Sequence, residues 1–166
     1  PYYGKYQRLR EFHLYSEEVV RLARACYYAN ISFIDEQIGR ILDALEQTGQ
    51  DSNTVVIFSS DHGDLMGDHG LWFKTLGYEG SIRIPLMIRA PGFLAGGQRV
   101  QTPVSHFDIA ETLLAFGGAS EESDERPGAD LRCILNGEVK RDFVVSAELG
   151  FYLCHRDWKY NFYPNG

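Results

Sequence analysis

The sequence predicts an α/β fold: a mainly parallel sheet flanked by helices, with a small antiparallel sheet near the C-terminus. Three observations carry that expectation. Tyr27, Ile31, Ile34, Ile38, Ile41 and Leu45 recur every three or four residues, the spacing of one face of a long helix. Thr54-Val55-Val56-Ile57-Phe58-Ser59-Ser60 is a β-branched run without polar alternation, as in a strand buried on both faces of a parallel sheet. A second strand and a second helix follow after a long loop, and helix, strand, loop, strand, helix is an α/β order.

Each element has its own local signals. Residues 1–15 are aromatic and basic without a period and read as an irregular lead-in. Ser16-Glu17-Glu18 opens a helix, a capping hydroxyl followed by acids that suit the positive end of the dipole. That helix runs from about Glu17 to Gln47 and stops near Thr48-Gly49. Its apolar stripe suits a helix lying along a sheet, the commoner cause, or a coiled-coil seam. Pro85 to Arg89 reads as the second strand, closed by Ala90-Pro91-Gly92, and a shorter one is expected through Arg99-Val100-Gln101. Ser105 and Asp108 form a capping box with a short acid, ahead of a helix through Ile109, Leu113 and Phe116 that ends at Gly117-Gly118. Residues 119–130 are acidic with Gly and Pro and read as a loop. Asp142–Ala147 and Trp158–Tyr163 are further strands, an antiparallel edge.

Composition narrows the function classes. With 44% apolar and 23% charged residues, the 166-residue chain suits one globular domain or a large piece of one. Its 16 Lys+Arg against 23 Asp+Glu give a net charge of −7, which argues against a nucleic-acid partner. No apolar stretch approaches the roughly 20 residues that span a bilayer, so no membrane span is expected. Three widely spaced cysteines, Cys26, Cys133 and Cys154, make neither a disulfide framework nor a zinc knuckle and read as packing residues. The chain begins Pro1-Tyr2-Tyr3 without Met, so a processed product or a piece of something longer is expected.

The densest polar cluster, Asp61-His62-Gly63-Asp64-Leu65-Met66-Gly67-Asp68-His69-Gly70, directly follows the first strand. Strand carboxyl ends are where α/β sheets gather ligands. Consecutive strand residues face opposite ways, so Asp61 and His62 converge only if the chain turns there, and Gly63 permits a turn at low steric cost. A carboxylate and an imidazole together suit a divalent cation. The plainer alternative is that both finish the strand by hydrogen-bonding the turn.

The surroundings resemble a known family. Ser59-Ser60-Asp61-His62-Gly63-Asp64, Gly67-Asp68-His69-Gly70-Leu71-Trp72-Phe73-Lys74, Tyr78-Glu79 and Ile82-Arg83-Ile84-Pro85-Leu86 resemble the C-terminal part of sulfatases and, more broadly, alkaline-phosphatase-like hydrolases. Tyr27 to Asp35 with Ile38-Gly39-Arg40 matches the preceding helix of that family. Val104 to Ala110 with Thr112-Leu113-Leu114, and Arg156 to Tyr160, match later segments, so the likeness covers about residues 22–163. It implies an alkaline-phosphatase-like fold, present as a partial domain. Residues 1–118 would be the C-terminal part of the α/β catalytic domain, and 119–166 an acidic loop and the start of an edge-sheet subdomain.

By that resemblance Asp61 and His62 are two ligands of the active-site divalent metal, usually calcium in sulfatases. Lys74, thirteen positions after Asp61, matches the lysine that contacts the sulfate. A metal and an ammonium around the ester oxygens stabilise the charge that grows in the transition state. The plainer alternative for Lys74 is a loop residue paired with Glu79 or Asp68. His69 either donates a proton to the leaving oxygen and lines the pocket, or braces the loop. Asp64 and Asp68 read as turn and loop caps, and His106 and Asp108 as a helix start. Trp72 and Phe73 either wall the pocket or simply pack. His13 and His155 have no supporting cluster.

Sulfatases attack with a formylglycine hydrate made from the cysteine of a C-x-P-S-R-type motif, and none of the three cysteines here fits it. Two protein ligands alone would hold calcium weakly, since it takes about six to eight oxygens. The expected function is therefore that of a sulfatase fragment, inactive alone, whose nucleophile lies in an N-terminal part of the same protein. Its substrate would be a sulfate-ester small molecule or a sulfated saccharide. The alternatives are a phosphonate or phosphodiester hydrolase of the same superfamily, using Mn2+ or Zn2+, and a non-catalytic sulfatase-like module. Compartment stays open: free cysteines lean toward the cytoplasm, whereas many sulfatases are exported.

Overall fold

The computed structural model describes residues 15–74, 76–119, 126–147 and 150–163. Ser16 opens helix α1, Glu17–Gln47, and its hydroxyl accepts the Val19 amide at 3.4 Å. At the other end Gly49 takes φ 67°, its amide reaches Glu46 O, and Gln50 N reaches Leu45 O, both at 2.9 Å. Those two bonds make a Schellman ending, for which glycine is the favoured residue. The helix therefore begins and stops where its capping residues predict.

Its packing does not follow the expectation. Helix α1 has no buried residue, and Tyr27, Ile31, Ile34 and Ile41 on the apolar stripe are exposed, Ile41 by 62%. The sheet expected beneath this face is not supplied by the described residues.

A 3₁₀ turn, Asp51–Asn53, leads into strand β1, Val56–Ser59. Helix α2, Glu79–Ile82, precedes strand β2, Leu86–Arg89. The two strands pair antiparallel, from Val56↔Arg89 to Ser59↔Leu86. This corrects the parallel expectation: among the described residues every ladder is antiparallel. An unbroken β-branched run reports burial on two faces but carries no information on the direction of the neighbouring strand. Residues 99–101, expected as a short strand, form none.

The chain divides into two compact units, one ending at Ala95 and one beginning at Gly96. This division by packing is a different matter from the 118/119 boundary that the resemblance suggests. In the second unit α3, His106–Phe116, starts with the expected Ser105/Asp108 capping box and packs on α4, Leu131–Leu135. The buried Thr112 hydroxyl ties the two, donating to Asp108 O at 2.6 Å and accepting Leu131 N at 2.9 Å. Helix α4 falls just after the stretch that reads as a loop, and Asp130 caps it by accepting the Arg132 amide at 2.8 Å.

Strands β3, Phe143–Ala147, β4, Phe151–His155, and β5, Lys159–Phe162, form an antiparallel sheet in that order. The outer two are the strands expected from sequence, and β4 between them is an addition. Tyr152 on β4 is the buried residue of this sheet, 1% exposed. No helix among the described residues is long and apolar enough to cross a membrane.

Candidate functional site

The chain leaves β1 at Ser60, whose hydroxyl donates to His62 O at 2.7 Å and so bends the next residues back. Asp61 Oδ1 accepts the His62 amide at 2.9 Å. His62 Nδ1 lies 2.7 Å from Gly63 O. A carbonyl only accepts, so in neutral His62 the proton sits on Nδ1 and the Nε2 lone pair is free. That Nε2 lies 3.3 Å from Asp61 Oδ2. The turn thus brings together the two residues that a straight strand would point apart.

The Asp61 side chain is 82% exposed. The His62 amide holds its carboxyl below the ordinary value. Gly63 is needed here for a different reason from the one its sequence position suggests. Its φ is not positive; instead its amide donates to Ser81 O at 2.7 Å, and a Cβ would fall on the Gly80 carbonyl oxygen. The glycine lets the turn lie directly against α2.

From Asp64 to Lys74 the chain makes a closed excursion. Asp64 Oδ1 accepts Met66 N at 2.8 Å and Phe73 N at 3.1 Å, and Leu65 N reaches Phe73 O at 2.9 Å. Nearer the tip, Gly67 N reaches Leu71 O at 2.7 Å, while Leu65 and Leu71 are buried beneath. Met66, His69 and Phe73 all take positive φ, 46°, 56° and 67°. Such conformations cost non-glycine residues about 1–3 kcal/mol each and cluster where a structure must hold a particular shape.

His69 is exposed, and its ring meets Tyr78 at 4.5 Å between centroids with a 31° tilt. Lys74 is half-buried, and its positive charge is the smallest of the influences on the Asp61 carboxyl. The two acids weighed as its partners are engaged elsewhere: Asp68 with Arg24 at 2.9 Å, Glu79 with Arg83 at 3.5 Å. Arg24 was not visible as part of this region. It lies 44 residues from Asp68, and no local pattern links a helix arginine to a distant loop.

The remaining candidates have local explanations. Asp64 and Asp68 cap and brace the loop, and Asp108 belongs to the start of α3. His155 Nδ1 accepts the Asp157 amide at 3.0 Å and its ring stacks on Trp158 at 4.9 Å. Trp72 meets Tyr15 edge to face at 5.7 Å. His13 lies outside the described residues. Cys26 is exposed, so it is no packing residue in this chain, whereas Cys133 and Cys154 are half-buried. A hydrogen bond with Glu138, then burial, push the Cys133 thiol up, the reverse of an activated nucleophile.

Among the described residues no three His, Cys, Asp or Glu side chains are grouped to hold a metal. The Asp61–His62 pair nonetheless fits as part of a ligand set. Donor atoms 3.3 Å apart can share a cation bound at about 2.0–2.6 Å. The Nδ1–H on a backbone carbonyl is the usual outer support of a ligating imidazole.

The sulfatase family model matches residues 1–119. Over 155 residues the chain is 40% identical to a choline-sulfatase of Rhizobium meliloti, covering 87% of this chain and 30% of that protein. A phosphonate monoester hydrolase of Agrobacterium radiobacter superposes with a TM-score of 0.80 at 29% identity, over 90% of this chain and 34% of that one. A protein solved in complex with its substrate D-glucosamine-2-N,6-O-disulfate superposes with a TM-score of 0.70 at 27% identity, over 95% and 36%. The chain thus spans about a third of the length of these relatives.

Proposed function

The chain belongs to the sulfatase family, and on that premise we propose that it supplies the metal-and-anion part of an active site hydrolysing sulfuric esters. The observation that carries this reading is the convergence of Asp61 Oδ2 and His62 Nε2 at 3.3 Å. Family membership implies a divalent metal. Asp61 and His62 would hold it, calcium in this reading, and when bound it draws negative charge from the ester oxygens.

Lys74 contributes a point positive charge to the sulfate oxygens, on a stem flexible enough to follow them. His69 is the candidate proton donor to the leaving oxygen. The nucleophile, a formylglycine hydrate by the resemblance, comes from another segment, as do the further metal ligands. The open apolar face of α1 supports a complementing body of protein. In this reading residues 1–118 are the C-terminal part of the catalytic domain and 119–166 begin an edge-sheet subdomain. A sulfated small alcohol or saccharide as substrate is supported by the choline-sulfatase and by the glucosamine-disulfate complex.

The test is turnover by the complete protein. Hydrolysis of 4-nitrophenyl sulfate, lost with a chelator and restored by Ca2+, is the expected result. Preference for an aryl phosphonate ester would favour the second reading, to which the phosphonate hydrolase likeness points. Turnover of neither would leave a non-catalytic module.

A further inference from the structure

We infer that Arg24 is a positioning residue for the candidate sulfate-binding loop, acting through Met66 and Asp68 on His69 and Lys74; this rests on the sulfatase reading above. Its Nε donates to Met66 O at 2.8 Å, and its Nη2 donates to Asp68 Oδ1 at 2.9 Å. One guanidinium therefore grips the loop on both sides of Gly67, using the planar fork that lysine lacks.

Three features make this grip consequential. First, the gripped segment is strained: Met66 and His69, either side of Gly67, take positive φ, and such shapes persist only where the surroundings over-determine them. Second, the backbone bonds that close the loop are internal to it, while its ring contacts reach Tyr15 and Tyr78. Asp64 and Leu65 close its base on Phe73, next to Lys74, and Gly67 closes its tip on Leu71. Arg24 ties that closed unit to α1. Third, α1 lies close at this point, since a Cβ at Gly67 would come within 2.9 Å of Val20 Cγ1. Helix α1 thus meets the loop at Val20 as well as through Arg24.

Magnitudes separate positioning from stability. The Arg24–Asp68 pair is largely exposed, and exposed pairs contribute little to global stability. Displacing a catalytic group by about 1 Å, in contrast, can cost about 100-fold in rate. Removing Arg24 should therefore cost activity out of proportion to stability. It should also spare the metal site, because Asp61 and His62 are held by their own turn.

The experiment uses the complete protein carrying Arg24→Ala, Arg24→Lys or Asp68→Asn. Amide exchange at Leu65, Gly67 and Phe73 should accelerate at least about tenfold in Arg24→Ala. kcat/KM for 4-nitrophenyl sulfate should fall about 10- to 100-fold. Metal affinity should stay within about twofold, with part of the activity restored in Arg24→Lys. Unchanged exchange overturns the inference whether or not the protein turns over sulfate. Faster exchange with unchanged kcat/KM overturns it too, as does an equal loss of metal affinity. Should Arg24→Ala fail to fold, Asp68→Asn carries the same readouts with a smaller loss, because the Met66 bond remains. A wild-type protein that hydrolyses no sulfate ester refutes the sulfatase reading instead, and the exchange result then decides the grip alone.

Discussion

Asp61 and Asp108 each have a histidine close by in sequence, and they are used in opposite ways. Asp108 is 0% exposed and both of its oxygens are taken. Oδ2 accepts Ser105 N at 2.6 Å and Arg141 Nη1 at 2.7 Å; Oδ1 accepts Ala129 N and the same Nη1, both at 2.8 Å. Asp61 commits Oδ1 to its own turn, while among the described residues Oδ2 faces an imidazole nitrogen. Residue type does not tell the two apart. A carboxylate saturated by its own chain is part of the framework, and one with an open oxygen beside a free imidazole lone pair is available to a ligand.

The sharpest way to break this comparison is to remove each charge in turn. Asp108→Asn leaves the Arg141 guanidinium, mostly buried, without its counter-ion. Breaking such a buried pair costs about 3–5 kcal/mol. Chemical denaturation should show that loss, and a change below about 1 kcal/mol would mean the cluster holds little together. Next in size is Gly63→Ala, whose methyl would drive the Asp61–His62 turn away from the Gly80 carbonyl. Overpacking of this kind costs about 1–3 kcal/mol, and metal affinity should fall with it. An alanine that leaves both unchanged would show that the turn does not need its contact with α2.

Asp61→Ala reverses the pattern. Denaturation should move by no more than about 0.5 kcal/mol, as for an exposed position. Calorimetric Ca2+ affinity in the complete protein should fall at least about tenfold, the scale at which even outer-shell losses act. Unchanged affinity would remove Asp61 from the ligand set.

The same contrast explains what the sequence made legible. Helix α1 and the start of α3 were readable to the residue because their caps are local: Ser16 with Val19, Ser105 with Asp108. The Asp61–His62 turn was readable as a cluster because its members adjoin. Strand direction was not, since nothing in Val56–Ser59 specifies its partner, and the antiparallel pairing with Leu86–Arg89 is a long-range outcome. Helix α4 was hidden because a single capping aspartate, Asp130, starts it just beyond an acidic, Gly/Pro-containing stretch. The role of Gly63 was misread because a close approach to Gly80 leaves no local mark, whereas a turn glycine has a familiar one.

The smallest expected effect concerns a third aspartate. Asp157 is exposed, and its hydrogen bond with Arg156 holds its carboxyl below the ordinary value, the same direction as Asp61. A carboxyl depressed in the folded state stabilises the fold above its unfolded value, and that contribution fades as pH falls through the folded one. Arg156→Ala should raise the Asp157 titration midpoint toward the ordinary value by NMR. The denaturation midpoint at neutral pH and moderate salt should not move measurably, and any difference seen at low salt should shrink on acidification. Metal affinity should be untouched, and a metal response to Arg156→Ala would contradict the contrast drawn here. Depression alone therefore does not mark a site. Arg156 covers both Asp157 oxygens, at 3.2 Å to Oδ1 and 3.1 Å to Oδ2. At Asp61 the principal cause of depression sits on Oδ1, and Oδ2 lies 3.3 Å from His62 Nε2, where the proposed cation would be shared.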